Sequence, residues 1–120
     1  MALGLRDAGF DVRLAFDVEE AHVKTYNHNL GDHARAIDAS QTTGAELLEL
    51  AGLEPGELDL FSGGPPCQGY SLIGRGKLKS LGAEREAYYR NVLNNLYQEF
   101  TRFVVALQPL VFVMENVPAM

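Results

Sequence analysis

The chain has no tryptophan, one cysteine and three histidines in 120 residues. A single cysteine excludes an internal disulfide framework and a zinc site of several thiolates, and it fits a reducing, intracellular and cytoplasmic setting. His22, His28 and His33 miss the i, i+4 spacing of helical ligand pairs, so they read as solvated helix-face and loop residues and no metal site is expected. No apolar run approaches the roughly 20 residues of a membrane span. The N-terminus "MALGLRDAGF" lacks the basic and then long apolar regions of a secretory signal, so no membrane partner is expected. Basic residues are scarce: 10 Lys and Arg against 16 Asp and Glu leave a net charge of −6. Alone, that balance argues against a general nucleic-acid binder. It leaves room for a catalytic half whose basic contacts lie elsewhere. There is no repeat and no low-complexity linker.

The residues that are present have the profile of a soluble globular domain, 47% hydrophobic and 22% charged. The length allows one small domain or a piece of a larger one. Short apolar runs alternate with helical periods, which argues for α/β architecture. "ALGLRDAG" reads as the tail of a helix closed by Gly9. "DVRLAFD" reads as a strand, "EEAHVKTYNHNLG" as a helix with Ala21, Val23 and Tyr26 inward, and "ARAID" as a short strand. "GAELLELAGL" is an amphipathic helix, "EPGE" a turn and "LDLFS" a buried strand. A loop rich in Gly, Lys and Arg follows to about Gly82, then a long helix from roughly Glu84 to Leu107, ended by Pro109. "LVFVME" is apolar on both faces and is expected in a sheet interior. Strand–helix–strand units in series imply a parallel sheet, with ligands at the carboxyl ends of its strands. The residues at those ends are Asp17, Asp38, the loop after Phe61, and Glu115 with Asn116.

The only thiol lies in "GGPPCQGYS", directly after the apolar "LDLF". A lone cysteine is most simply a small buried hydrophobe. Here Pro65 and Pro66 fix φ and remove two donors, while Gly63, Gly64 and Gly69 permit close approach of a ligand. A structural cysteine gains nothing from that setting. Backbone N–H groups or a nearby cation at a strand's end raise the thiolate fraction, so Cys67 reads as a nucleophile. Glu115 follows an apolar strand. If largely desolvated it would titrate high and serve as a proton donor near neutral pH; the plainer reading is a carboxylate capping the next turn. Asn116 before Val117-Pro118 fits a turn held by side-chain-to-backbone bonds. An acid at a strand end such as Asp17 or Asp38 suits ribose hydroxyls. It equally suits an N-cap, or for Asp38 a turn with Ala39-Ser40.

In this order, these residues resemble the cytosine carbon-5 DNA methyltransferases. "GGPPCQGYS" is similar to that family's nucleophile motif and "FVMENVPAM" to its Glu-Asn-Val motif; the pair is highly specific. "AFDVEEAHVKTYNHN" resembles the segment that binds the cofactor ribose, and "AIDAS" the one with the adenine-contacting acid. "NNLYQEFTRFVVALQP" resembles the helix leading into the Glu-Asn-Val strand. The resemblance implies a Rossmann-like methyltransferase three-layer sandwich with a mostly parallel sheet. It implies S-adenosylmethionine as cofactor, double-stranded DNA as substrate and a restriction-modification setting. Cys67 would add to a flipped-out cytosine. Glu115 would bind the ring, and Pro66 would shape the pocket. Asn116 would hold the Pro-Cys loop, and Gln68 with Ser71 would begin a loop closing on DNA. Arg75, Lys77 and Lys79 would meet phosphates. Asp17 with Val18, Asp38 with Ala39, Pro65, and Leu96 would contact the cofactor.

The chain also departs from the family pattern. The Gly-rich cofactor turn and the central first strand are expected to lie before Met1, and the target-recognition domain is expected to lie outside these residues. Residues 1–120 therefore read as a partial catalytic domain, expected to be inactive alone. Val18 stands where many members carry an aromatic or Ile, and "VLNN" stands where an acid and an arginine are usual. A sheet without its middle strand exposes two inner edges, so self-association or a completing chain is expected. The alternatives are a transfer RNA cytosine methyltransferase, and a non-catalytic remnant that binds a cofactor or partner. A cysteine hydrolase is disfavoured because no histidine falls at a strand's carboxyl end after Gly63.

Overall fold

The computed structural model describes residues 1–66 and 96–117. Its elements run α1 (Ala2–Asp7), β1 (Ala15–Asp17), α2 (Glu20–Leu30), β2 (Ala34–Ala36), α3 (Gly44–Ala51), β3 (Leu60–Gly63), a helix α4 described over residues 96–107, and β4 (Val111–Met114). The part of the expected long helix before residue 96 lies outside the described residues.

Local chemistry accounts for both ends of α3. Thr43 caps α3 in a reciprocal box: its hydroxyl accepts from Glu46 N–H at 3.2 Å, and Glu46 Oε2 accepts from Thr43 N–H at 2.7 Å. Gly52 closes that helix in the left-handed region at φ 65°. Arg13 then donates to the Ala51 carbonyl from Nη2 at 3.3 Å, placing a cation where the helix dipole favours one. At the end of α2, Asn27 serves both backbone groups of Ala34: Oδ1 accepts its N–H at 2.9 Å and Nδ2 donates to its carbonyl at 3.1 Å. Ala34 is buried, so this side chain supplies partners that water cannot.

The strands pair in parallel, as expected, but in two separate two-stranded sheets. β1 pairs with β2 in the register Phe16 to Arg35, and β3 pairs with β4 in the register Phe61 to Phe112. Among the described residues no ladder joins β1 to β3. Both sheets rest on α4. The Phe103 ring, 1% exposed, meets Phe16 edge-on at 6.0 Å and Phe61 edge-on at 6.4 Å. Leu47, Leu48 and Leu107 cluster with Phe103, with Leu14, Ile37, Leu53 and Leu58 packed against them; Phe100 and Ala34 are also buried.

Three expectations need correction. β4 is not interior: Val111, Phe112, Val113 and Met114 are all exposed, 56% for Val111; among the described residues β4 pairs with β3 alone, at the margin of a two-stranded sheet, and the Phe112 ring meets Phe100 edge-on at 6.2 Å. Ala21 faces solvent, while Val23 and Tyr26 are half-buried, since α2 contributes no fully buried residue. His33 is not simply solvated. It is half-buried, with Nε2 3.0 Å from the Tyr26 hydroxyl.

Candidate active site

The loop after β3 and the loop after β4 are stitched together. Glu115 N–H donates to the Gly63 carbonyl at 2.9 Å, continuing the parallel ladder one step past the strands. Asn116 Nδ2 donates to the Pro65 carbonyl at 3.0 Å, and Asn116 Oδ1 accepts from Val117 N–H at 2.8 Å. Pro65 has no N–H to anchor it, so its carbonyl is the available handle. A Cβ on Gly64 would stand 3.2 Å from Glu115 Oε2, so the missing side chain leaves room for that carboxylate. Gly64, Pro65, Glu115 and Asn116 thus form one cluster, with Pro66 exposed at its end. Cys67, Gln68, Ser71, Arg75, Lys77 and Lys79 lie outside the described residues. The condition set on the proton-donor reading of Glu115, large desolvation, is not met: the residue is exposed.

The second cluster sits at the ends of β1 and β2. Ile37 N–H donates to the Asp17 carbonyl at 3.0 Å and ties the two ends together. Asp17 Oδ1 accepts from Glu19 N–H at 2.8 Å, and Oδ2 lies 3.2 Å from His22 Nδ1. Asp17 therefore steadies the start of α2 without being its N-cap, a position held by Glu19. Asp38 Oδ1 accepts from both the hydroxyl and the N–H of Ser40, at 2.7 and 2.9 Å. The Ser40 hydroxyl, then its N–H, hold the Asp38 carboxyl below the usual carboxylate range. Val18 is 64% exposed beside Asp17, and Ala39 is half-buried beside Asp38. Leu96, half-buried, is the first described residue of α4.

No hydrogen bond among the described residues joins the two clusters; α4 links them. Phe103 lies under both sheets, and Arg102 Nη2 donates to the carbonyls of Ala39 and Thr42 at 2.8 and 2.7 Å. Sequence reasoning missed Arg102 and the contact of His22 with Asp17, whereas the turn of Asp38 with Ala39-Ser40 is one it offered. Ser40 carried a signal, a hydroxyl two residues after an acid in a turn. Arg102 carried none, because its acceptors are 60 or more residues away in the chain. A cleft lined by Arg6, Phe10, Tyr26 and His33 contains none of the expected site residues. No helix among the described residues is long and apolar enough to cross a membrane.

Short parallel strands joined by helices make the chain a mixed α/β protein, with acids and a glycine-proline loop at the carboxyl ends of those strands. The chain belongs to the C-5 cytosine-specific DNA methylase family, which its sequence matches over residues 1–120. It is 35% identical over 118 residues to the type II methyltransferase M.XorII of Xanthomonas oryzae, covering 98% of this chain and 25% of that protein. It is 35% identical over 121 residues to the type II methyltransferase M.AquIA of Picosynechococcus, covering all of this chain and 45% of that one. With the type II methyltransferase M.HgiGI of Herpetosiphon aurantiacus it shares 31% identity over 117 residues, 98% of this chain and 81% of that one. The chain spans about a quarter of the length of the first curated relatives it matches. No solved structure matches it significantly.

Proposed function

We propose that residues 1–120 are part of the catalytic domain of a DNA (cytosine-5-)-methyltransferase with a Rossmann-like three-layer sandwich. The observation that carries this is the stitched pair of loops, Asn116 to Pro65 and Glu115 against Gly64, which holds the residues next to Cys67 beside a carboxylate. The Cys67 thiolate adds to carbon 6 of a cytosine turned out of the duplex, at an unpairing cost of a few kcal/mol. Glu115 binds ring nitrogen 3 and the exocyclic amine, favouring the addition product. Carbon 5 takes the methyl group, then gives its proton to water as the bond between carbon 6 and sulfur breaks and the thiolate leaves, so one hard step becomes several easier ones. Pro66 shapes the pocket, Gln68 and Ser71 belong to a loop closing on DNA, and Arg75, Lys77 and Lys79 meet phosphates.

The acids fit S-adenosylmethionine. Asp38 spends Oδ1 on Ser40, and Oδ2 has no partner among the described residues, which leaves an acceptor for an amine. Asp17 would hold the ribose with Val18 beside it. Asp38 and Ala39 would hold the adenine, and Pro65 and Leu96 would lie toward the methionine part. When bound, the cofactor supplies the methyl group.

The edges of β1 and β3 that carry no ladder among the described residues support a second part of the proposal: the chain is inactive alone and takes a completing chain or a second copy at those edges. The same observation favours one rival, a non-catalytic remnant. The test is transfer of labelled methyl groups to duplex DNA and to transfer RNA, alongside calorimetric binding of S-adenosylmethionine. The protein is purified natively from its own cells so that any completing chain stays bound. Transfer to DNA supports the proposal. Transfer to RNA alone contradicts the substrate. Cofactor binding without transfer to either supports the remnant.

A further inference from the structure

We propose that Arg102 is a positioning residue that fixes the Asp38 loop for the cofactor, an inference that rests on the function proposed above. Residues 39–42 straddle Ser40, the residue whose N–H and hydroxyl orient the Asp38 carboxylate. Arg102 grips this segment at both ends. Its Nη2 donates to the Ala39 carbonyl at 2.8 Å and the Thr42 carbonyl at 2.7 Å, and lies 2.6 Å from Glu99 Oε2. Its Nε–H goes to Glu99 Oε2 at 2.7 Å, which holds the fork from behind. The guanidinium carbon lies 4.5 Å from the centroid of the Phe103 ring, the ring beneath both sheets.

Made together, these contacts use a property that lysine lacks. A planar fork can serve two carbonyls and one carboxylate at fixed angles while lying flat on an aromatic face; an ammonium is a point charge on a flexible stem. With Ala39 and Thr42 pinned, Ser40 has little freedom to swing away from Asp38, so Oδ1 is committed and Oδ2 is presented in one direction. The strut also fixes the Asp38 loop to α4, the helix that carries Leu96. Without it, the loop samples other conformations, and apparent affinity falls by the fraction of time the competent one is lost.

The test uses natively purified protein and the variants Arg102→Gln, Arg102→Lys, Asp38→Asn and Arg102→Gln/Asp38→Asn. S-adenosylmethionine binding is measured by calorimetry and Ser40 amide exchange by NMR. Arg102→Gln is expected to weaken binding about tenfold by the population argument and to speed Ser40 exchange by a similar factor. The double variant is expected to bind no more weakly than Asp38→Asn alone, because residues acting through one another are not additive. Additive losses would mean a general structural role and overturn the inference, as would unchanged Ser40 exchange. Full affinity in Arg102→Lys would reduce the effect to charge and overturn it too; this variant also serves if Arg102→Gln fails to fold. Normal binding by Arg102→Gln with weakened binding by Asp38→Asn overturns only this inference. No binding by the unsubstituted protein overturns the proposed cofactor site, and this role with it.

Discussion

Asn116 reaches across from the loop after β4 to the carbonyl of Pro65, 51 residues earlier in the chain, with a 3.0 Å hydrogen bond. The same amide turns its oxygen to Val117 N–H, so one side chain organises two loops. Asn116→Ala leaves two partly buried backbone groups without partners, and it is expected to cost about 1–2 kcal/mol by the usual penalty for such losses. Asn116→Asp keeps the acceptor for Val117 but replaces the donor with a charge facing the Pro65 carbonyl, so it is expected to be the worse of the two. Urea unfolding of both variants checks this. Equal stability of the wild type and Asn116→Asp would show that the Pro65 bond contributes nothing.

A second prediction concerns Gly44, the buried first residue of α3. A Cβ there would collide with Ala106 Cβ of α4, a short branch that cannot turn aside. Alanine would otherwise favour the helix by up to about 1 kcal/mol, but overpacking costs about 1–3 kcal/mol. Gly44→Ala is therefore expected to destabilise, and Ala106→Gly in the same chain to recover part of the loss. Denaturant midpoints decide it. A Gly44→Ala midpoint above that of the wild type would show that α3 moves away freely.

A third prediction is pH-dependent. Asp38 titrates below the ordinary carboxylate range because of the Ser40 hydroxyl first and the Ser40 N–H second. Glu46 is lowered likewise, by Thr43 N–H and then its hydroxyl. For a depressed carboxylate the stabilisation is complete above the unfolded value, about 3.9 for Asp, and is lost as pH falls through the folded value. Ser40→Ala is expected to move the Asp38 titration upward toward the ordinary range. Carboxyl-carbon NMR reads this directly, and an unchanged Asp38 titration in Ser40→Ala would refute the assignment.

Local signals made much of the fold legible. β1 lies inside "DVRLAFD", α3 inside "GAELLELAGL" and β4 inside "LVFVME", each shorter than its apolar run because ladders and caps stop before hydrophobicity does. What periodicity cannot report is what covers a face. The apolar run Val111 to Met114 reads as interior, yet it is exposed, with β3 along one edge. For the same reason the sequence leaves open whether Glu115 is desolvated; in the structure it is exposed. The acids at the strand ends were legible from their places after apolar runs. The groups that orient them were legible only when close in sequence, as Ser40 is to Asp38. Arg102 acts across more than 60 residues, and nothing short-range marks it.

The central claim is that Cys67 is the nucleophile toward cytosine. The direct measurement is covalent trapping: natively purified protein, with any completing chain retained, is incubated with S-adenosylmethionine and duplex DNA carrying 5-fluorocytosine, whose carbon-5 fluorine blocks release of the thiol. The account predicts a denaturant-resistant protein–DNA adduct in the wild type and none in Cys67→Ser. An adduct that persists in Cys67→Ser, or methyl transfer to ordinary DNA without any trapped adduct, would contradict it.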